Sequence, residues 1–321
     1  MAIVTFSSQY LDATIQVWNQ TLAADPIDLA GFTNRVLLDS KFDAQHFLLM
    51  LDGRQVVGFL RATADQATRQ GWLIAMGVLP QAQHQRRGAS LVTRIQQIFV
   101  GEGVQQITLA AYPASYLFPG VDTAAYPNAL PFFQKLGFVK SGEAVSMQRS
   151  LVNYHRPINF DQVLTQVEAL GIKIRPFQLS DTYSLLMLLS QDFAPDWQVN
   201  VRQAIKSGLA SRTIIVAVIQ HDEIIGYCQR AIDASAGRFG PFGVRSDMRR
   251  QHLGYVLFHT MLATMVKQHI YHVYFLWTDG DAQRFYAKNG MIVYRSYSLL
   301  KQTLAENPQT QIIGSVSNGV D

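Results

Sequence analysis

The chain has 321 residues, 48% hydrophobic and 16% charged, which is enough apolar material for a large core and a length suited to about two domains. Its single cysteine, Cys228, excludes an internal disulfide framework and a cysteine-based metal cluster, and its strand-like surroundings give it a packing role. No apolar stretch approaches the roughly 18 residues that cross a bilayer, and Met1-Ala2-Ile3-Val4-Thr5-Phe6 lacks a basic signal-peptide start, so a cytoplasmic protein without a membrane partner is expected. The excess of four basic residues, with a sequence pI near 9.1, suits a phosphorylated ligand, a nucleic acid or an acidic surface. No block of five or six like charges occurs, which argues against a nucleic-acid-binding tail.

Along the chain, Phe47 to Ala62 reads as a β-hairpin about the Asp52-Gly53 turn. A strand-like run ends at Gly77-Val78. A polar loop follows, and Gln85-x-x-Gly88 opens a helix with Leu91, Ile95 and Ile98 at helical spacing. Ile107 to Ala110 is a further strand, and a short helix ends at Gly137. Pro157 breaks any early helix in the stretch from Leu151 to Gly171, where Val163, Val167 and Leu170 suggest a short amphipathic one.

The same landmarks then recur in the same order. Thr213 to Arg230 is a second hairpin, turning at His221-Asp222-Glu223. Gly243-Val244 precedes a polar loop, and Gln251-x-x-Gly254 opens a helix with Leu257, Met261 and Met265 on one face. Both valine-to-glycine intervals, Val78 to Gly88 and Val244 to Gly254, are ten residues long, which points to two copies of one unit. From loop glycine to helix-end glycine the first copy takes 49 residues and the second, ending at Gly290, takes 36; the surplus is expected between Tyr112 and Tyr126. The expected division is 1–152, a linker at 153–170, and 171–321.

A strand that feeds a glycine-containing turn into a helix start presents several unpaired backbone N–H groups in one direction, and the helix dipole adds to their pull on phosphate oxygens. Gln85-Arg86-Arg87-Gly88-Ala89-Ser90 and Gln251-His252-Leu253-Gly254-Tyr255-Val256 are such turns. Here the chain resembles the GNAT superfamily of acyltransferases (GCN5-related N-acetyltransferases), whose pyrophosphate loop reads Gln or Arg, two residues, Gly, one residue, then Gly or Ala. Val78-Leu79-Pro80 also matches the family's strand end. Val256 departs from the pattern because it is bulkier than the last small residue of the motif.

The resemblance implies an α/β (α+β) fold of two tandem GNAT-type domains, each a mixed, mostly antiparallel twisted sheet flanked by helices. It implies acetyl-CoA as co-substrate, without a metal, held at Val78 and residues 85–90, at Val244 and residues 251–256, or at both. It also implies direct transfer of the acetyl group to an amine in a ternary complex, with strand N–H groups near Val244 polarising the thioester. The family's acid is a tyrosine in the late helix. Tyr286 in Phe285-Tyr286-Ala287-Lys288-Asn289-Gly290 matches it, whereas the first copy has Phe133, which cannot donate a proton.

The first copy thus has the better phosphate loop and the second the better acid, so catalysis is expected in the second. Neither strand before the loops carries the carboxylate that many members use as a base, and Asp279 reads as a turn residue. The acceptor, a small molecule or a protein amine, is not named by any motif. Tyr116 to Asp122 and Tyr126-Pro127 either wall an acceptor pocket or pack the halves. A degenerate, non-catalytic acyl-CoA-binding protein or sensor is the alternative reading.

Overall fold

The computed structural model describes residues 1–114, 117–219, 222–233 and 235–304. Two positions singled out above, Tyr116 and His221, lie outside the described residues. The chain divides into two compact units. Unit 1 comprises residues 1–144 and a returning segment that starts at Arg295; unit 2 comprises residues 145–294.

Unit 1 begins with β1 (Ala2–Thr5), α1 (Leu11–Thr21) and the short α2 (Leu29–Phe32). The hairpin of β2 (Phe47–Asp52) and β3 (Gln55–Asp65) follows, then β4 (Gln70–Val78), α3 (Arg87–Gly101), β5 (Gln106–Leu109) and α4 (Ala129–Lys135). Strand β6 (Val139–Ser150) leaves this unit and enters the next. The apolar run of β2 is buried on both faces because α1 and α3 both pack against the sheet. The stripe Leu91, Val92, Ile95 and Phe99 turns α3 onto it.

In unit 2, α5 (Phe160–Glu168) is followed by β7 (Lys173–Pro176), α6 (Thr182–Asp192), α7 (Pro195–Lys206) and α8 (Ala210–Thr213). The second hairpin is β8 (Ile214–Ile219) and β9 (Glu223–Arg230). After it come β10 (Phe239–Val244), α9 (Leu253–Lys267), β11 (His272–Thr278), α10 (Gly280–Lys288) and β12 (Ile292–Thr303), most of which returns to unit 1. The segment expected as a linker, 153–170, contributes Tyr154, Phe160, Val163 and Val167 to the unit 2 core, where α5 lies on α9. Leu170, expected on the apolar face of α5, lies beyond its end and is exposed, because the helix stops at Glu168.

Both units are mixed sheets, mostly antiparallel and flanked by helices. In unit 1 the order is β1-β2-β3-β4-β5-β12, antiparallel except for β4 with β5. In unit 2, β10-β9-β8-β7 are antiparallel, and β11 pairs with the second half of β6. β10 and β11 touch through a parallel bridge between Arg238 and Tyr274. The connection from β5 to α4 runs over residues 110–128, whereas Asp279 alone separates β11 from α10, so the surplus of the first copy lies there. Exposed Asp279 precedes α10 in extended backbone.

Candidate active site

In unit 1, β4 and β5 pair only from Gln70 with Gln106 to Leu73 with Leu109, and the Ala110 N–H donates to the Leu73 carbonyl at 2.7 Å. Beyond that point they separate. Register on β3 shifts between Arg61 with Ala75 and Ala62 with Leu73, so Ile74 is a bulge residue that bends β4 away from β5. The Leu79 N–H donates to the Val57 carbonyl at 2.9 Å. Since alternate residues of an antiparallel strand bond to the same neighbour, Met76 and Val78 turn their N–H groups from β3 toward the opening.

The opening is a cleft of about 860 Å³. Leu73 to Val78 and Leu109-Ala110 form its diverging walls, the loop from Gln83 to Ala89 closes one end, and α4 with the preceding strap from Phe118 to Asn128 covers it. Thr21 of α1 also reaches it. The Gln83 side-chain amide donates to the Val78 carbonyl at 2.8 Å and ties the loop to the strand end.

His84 and Arg86 both adopt left-handed backbone, with φ of 60° and 58°. Alternation of left-handed with ordinary conformations turns successive N–H groups into a concave nest, suited to an anion. Arg86 is the N-cap of α3 and provides no side-chain cap, so the first N–H groups of the helix remain available to the cleft. The first intrahelical bond runs from the Ser90 N–H to the Arg86 carbonyl at 2.9 Å. Left-handed backbone in non-glycine residues is costly and concentrates where function requires it.

Of the residues singled out in the first loop, Val78, Arg86, Arg87, Gly88 and Ala89 line the cleft. Gln85 is exposed, and exposed Ser90 donates its hydroxyl to the Arg86 carbonyl at 3.1 Å. The Arg87 side chain is buried and donates to Asp52 at 2.9 Å, so only its backbone serves the nest. Phe133 is buried beside Phe132, whose ring would stand 3.2 Å from a Cβ at Gly88.

Unit 2 repeats this backbone. Arg250 and His252 are left-handed, at φ of 65° and 60°, and His252 is the N-cap of α9. The Arg245 N–H donates to the Ile225 carbonyl at 2.8 Å, which turns the N–H groups of Phe242 and Val244 from β9 toward β11. Side chains differ. Val256, bulky at the last position of the motif, is fully buried in the core with Phe160 rather than facing the loop, and Leu253 is buried too. The Tyr255 hydroxyl donates to Asn159 at 2.9 Å. Gln251 is partly exposed and Gly254 lies beside Phe242 and Phe285. Phe193 and Trp197, stacked at 4.6 Å, sit against Gly243.

Tyr286 is 8% exposed and packs among Phe239, Phe242, Phe258 and Phe275, the last at 4.4 Å between ring centres. Burial pushes its hydroxyl well above the usual tyrosine range, so it is protonated at neutral pH. Cys228 on β9 is fully buried and its thiol is likewise raised by burial.

The strap of unit 1 rests on groups that no local motif announces. Arg295 donates to Asp25 at 2.5 and 2.9 Å and to Asp122 at 2.7 Å, and the Tyr126 hydroxyl donates to Asp25 at 2.6 Å. Burial pushes the Asp122 carboxyl up, but the Ala125 amide and Arg295 outweigh it and hold it below its ordinary value. The bonded partners are 101 to 270 positions apart, so only the aromatic, turn-rich composition of the loop hinted at them.

Two parallel strands that separate over a helix-start anion nest define an acyltransferase-type cleft. Two family models match, an acetyltransferase (GNAT) domain over residues 43–140 and the acetyltransferase (GNAT) family over 182–291, and together they span well over half of the chain. The chain belongs to the GNAT superfamily as a tandem member. Solved structures with the same fold include a GCN5-related glucosamine N-acetyltransferase region of a fungal multi-domain GH3 β-N-acetylglucosaminidase (TM-score 0.79, 18% identity, 94% of this chain covered). This chain spans 38% of that protein's length. A GCN5-related N-acetyltransferase from Sphaerobacter thermophilus aligns at TM-score 0.69 and 15% identity, over 94% of this chain and 95% of its own. A tandem GNAT protein from the clavulanic acid biosynthesis pathway aligns at 0.63 and 15%, over 95% and 99%. No curated protein sequence matches significantly. Among the described residues no helix is long and apolar enough to cross a membrane, and no group of three or more His, Cys, Asp or Glu is placed to hold a metal.

Proposed function

We propose that this protein is an acetyl-CoA-dependent N-acetyltransferase whose acyl donor occupies the unit 1 cleft. The observation that carries the reading is the separation of β4 from β5 next to the nest at His84 and Arg86. Pyrophosphate oxygens would accept from the N–H groups at the start of α3, and the pantetheine arm would lie between the strands. Met76 and Val78 N–H groups are the candidates to bind the thioester oxygen as negative charge grows on it, a fixed-dipole contribution that needs no reorganisation. An amine held beside the carbonyl attacks, the C–S bond breaks, and the amine proton passes to solvent. With Phe133 in α4 the sulfur departs as thiolate, which a thiol about as acidic as free cysteine, near 8.5, permits.

A second reading places transfer in unit 2, with acetyl-CoA at Val244 and residues 251–256 and Tyr286 as the acid. It is supported by the repeated nest and by the phenol of Tyr286, which has a proton to donate where Phe133 has none. A sensor that binds acetyl-CoA without turnover is the non-enzymatic rival. We read residues 1–152 and 171–321 as two copies of one ancestral unit joined by 153–170, and place the protein in the cytoplasm. The acceptor is a small-molecule or protein amine. Because a glucosamine N-acetyltransferase region shares the fold, glucosamine heads the panel to be tried.

The test is calorimetric titration with acetyl-CoA and crystallographic location of the ligand, followed by thiol-release assays over a panel of amines. Donor in the unit 1 cleft with turnover supports the first reading. Donor at residues 251–256, with activity lost in Tyr286→Phe, supports the second, binding without turnover supports the sensor, and no binding removes all three.

A further inference from the structure

The strap that covers the unit 1 cleft is fastened by the returning strand β12. The Val121 N–H donates to the Ser298 carbonyl at 2.9 Å and the Ser298 N–H returns the bond at 2.9 Å. A Cβ at Gly120 would stand 2.7 Å from the Ser298 carbonyl oxygen, so the strap comes as close to β12 as backbone allows. Arg295, on β12 itself, donates one hydrogen bond to Asp122 inside the strap and two to Asp25 after α1. Asp25 in turn receives the hydroxyl of Tyr126, a cleft-lining residue, at 2.6 Å. Hydrogen bonding to Asp25 holds the Arg295 guanidinium charged far beyond any accessible pH. The hydroxyl of Tyr126 is raised, first by burial and then by the Asp25 charge, and so stays neutral. A neutral phenol with its proton committed to a carboxylate is a rigid wall, not a proton source.

We propose that Arg295 is a positioning residue for the acceptor: acting through Asp25 and Asp122, it sets Tyr126 and the strap as the wall against which the incoming amine is held. This rests on the unit 1 reading above. The nest is taken by the donor in that reading, which leaves the part of the lining that Tyr126 and Thr21 contribute for the second substrate. Arginine is suited to the task because its planar fork satisfies two carboxylates at fixed angles, which an ammonium does not.

The experiment compares wild type with Arg295→Ala, Arg295→Lys, Tyr126→Phe and the Arg295→Ala/Tyr126→Phe pair. It uses acetyl-CoA calorimetry, steady-state kinetics with the best amine of the panel, and hydrogen exchange across residues 118–128. Arg295→Ala is expected to raise the KM of the amine about tenfold or more while leaving acetyl-CoA affinity within about threefold. Tyr126→Phe should reproduce that rise, the pair should be no worse than either change alone, and Arg295→Lys should recover part of the loss. An unchanged amine KM, or equal losses for both substrates, overturns the assignment. Failure of wild type to bind acetyl-CoA overturns the function proposed above, and exchange then decides this inference alone: strap amides that exchange in Arg295→Ala at the wild-type rate refute the fastening.

Discussion

The hydroxyl of Thr21, at the end of α1, fills the space that a Cβ on Gly77 of β4 would need. It is held there by its own bond to the Val17 carbonyl at 2.7 Å, so it cannot swing aside freely. Gly77→Ala is therefore expected to lower stability by about 2 kcal/mol through overpacking. Thr21→Gly in that background should recover part of the loss. Urea unfolding of the three variants checks this, and additive losses would show that the two positions do not meet.

Gly88 leads a helix start whose N–H groups are open to the cleft. Gly88→Val is expected to weaken acetyl-CoA binding by more than tenfold, or about 1.4 kcal/mol, because its branches crowd both Phe132 and the ligand. Gly254→Val should leave the affinity near wild type. Calorimetry on both variants, with thermal melts as a folding control, separates the two loops; the reverse pattern would move the donor to unit 2.

Much of this architecture was legible in the sequence because it is written in local signals. The hairpins, both loop-to-helix starts and the long insertion before α4 depend on turn residues and on apolar period, which neighbouring residues carry. Side-chain direction was not legible. The side chain of Arg87 is bonded to Asp52, and Val256, bulky for the last position of the loop motif, faces the core. The latch of Arg295 on Asp25 and Asp122 joins three distant segments, and the linker's place in the unit 2 core depends on α9 being there to receive α5.

In unit 2, His259 is buried between the Tyr154 hydroxyl, 2.8 Å from Nδ1, and Asn289 Oδ1, 2.9 Å from Nε2. The Asn289 amide donates to the Phe285 carbonyl at 2.8 Å, which fixes its oxygen toward the ring. His259 therefore donates from Nε2 and accepts at Nδ1. Burial, aided by Arg149 and Arg156, pushes its pKa down to about 4. Because the unfolded chain takes up the proton first, stability is fully present above about 6.5 and is lost as pH falls toward 4, by roughly 3 kcal/mol. His259→Gln should flatten the dependence of the urea midpoint on pH between those limits; an unchanged slope would assign it to other groups.

Arg61 and Asp39 form a buried ion pair at 3.0 Å in unit 1, completed by the Tyr112 hydroxyl on Asp39 at 3.0 Å. Asp39→Ala would leave a guanidinium that is 1% exposed without its counter-charge and is expected to cost about 3–5 kcal/mol. The pair Asp39→Ala/Arg61→Met should be less destabilised than Asp39→Ala alone. Chemical denaturation of both checks the order, and the opposite ranking would show that water reaches Arg61.

The return of β12 also sets an order of birth. A ribosome that has made residues 1–144 must still add the 150 residues of unit 2 before Arg295 appears, about 8–30 s at ordinary rates of synthesis. Throughout that interval β5 has no partner on its outer edge and the strap has no anchor, so the nascent chain offers an open strand to any neighbour. A gene cut between the two sequence repeats would make that interval permanent.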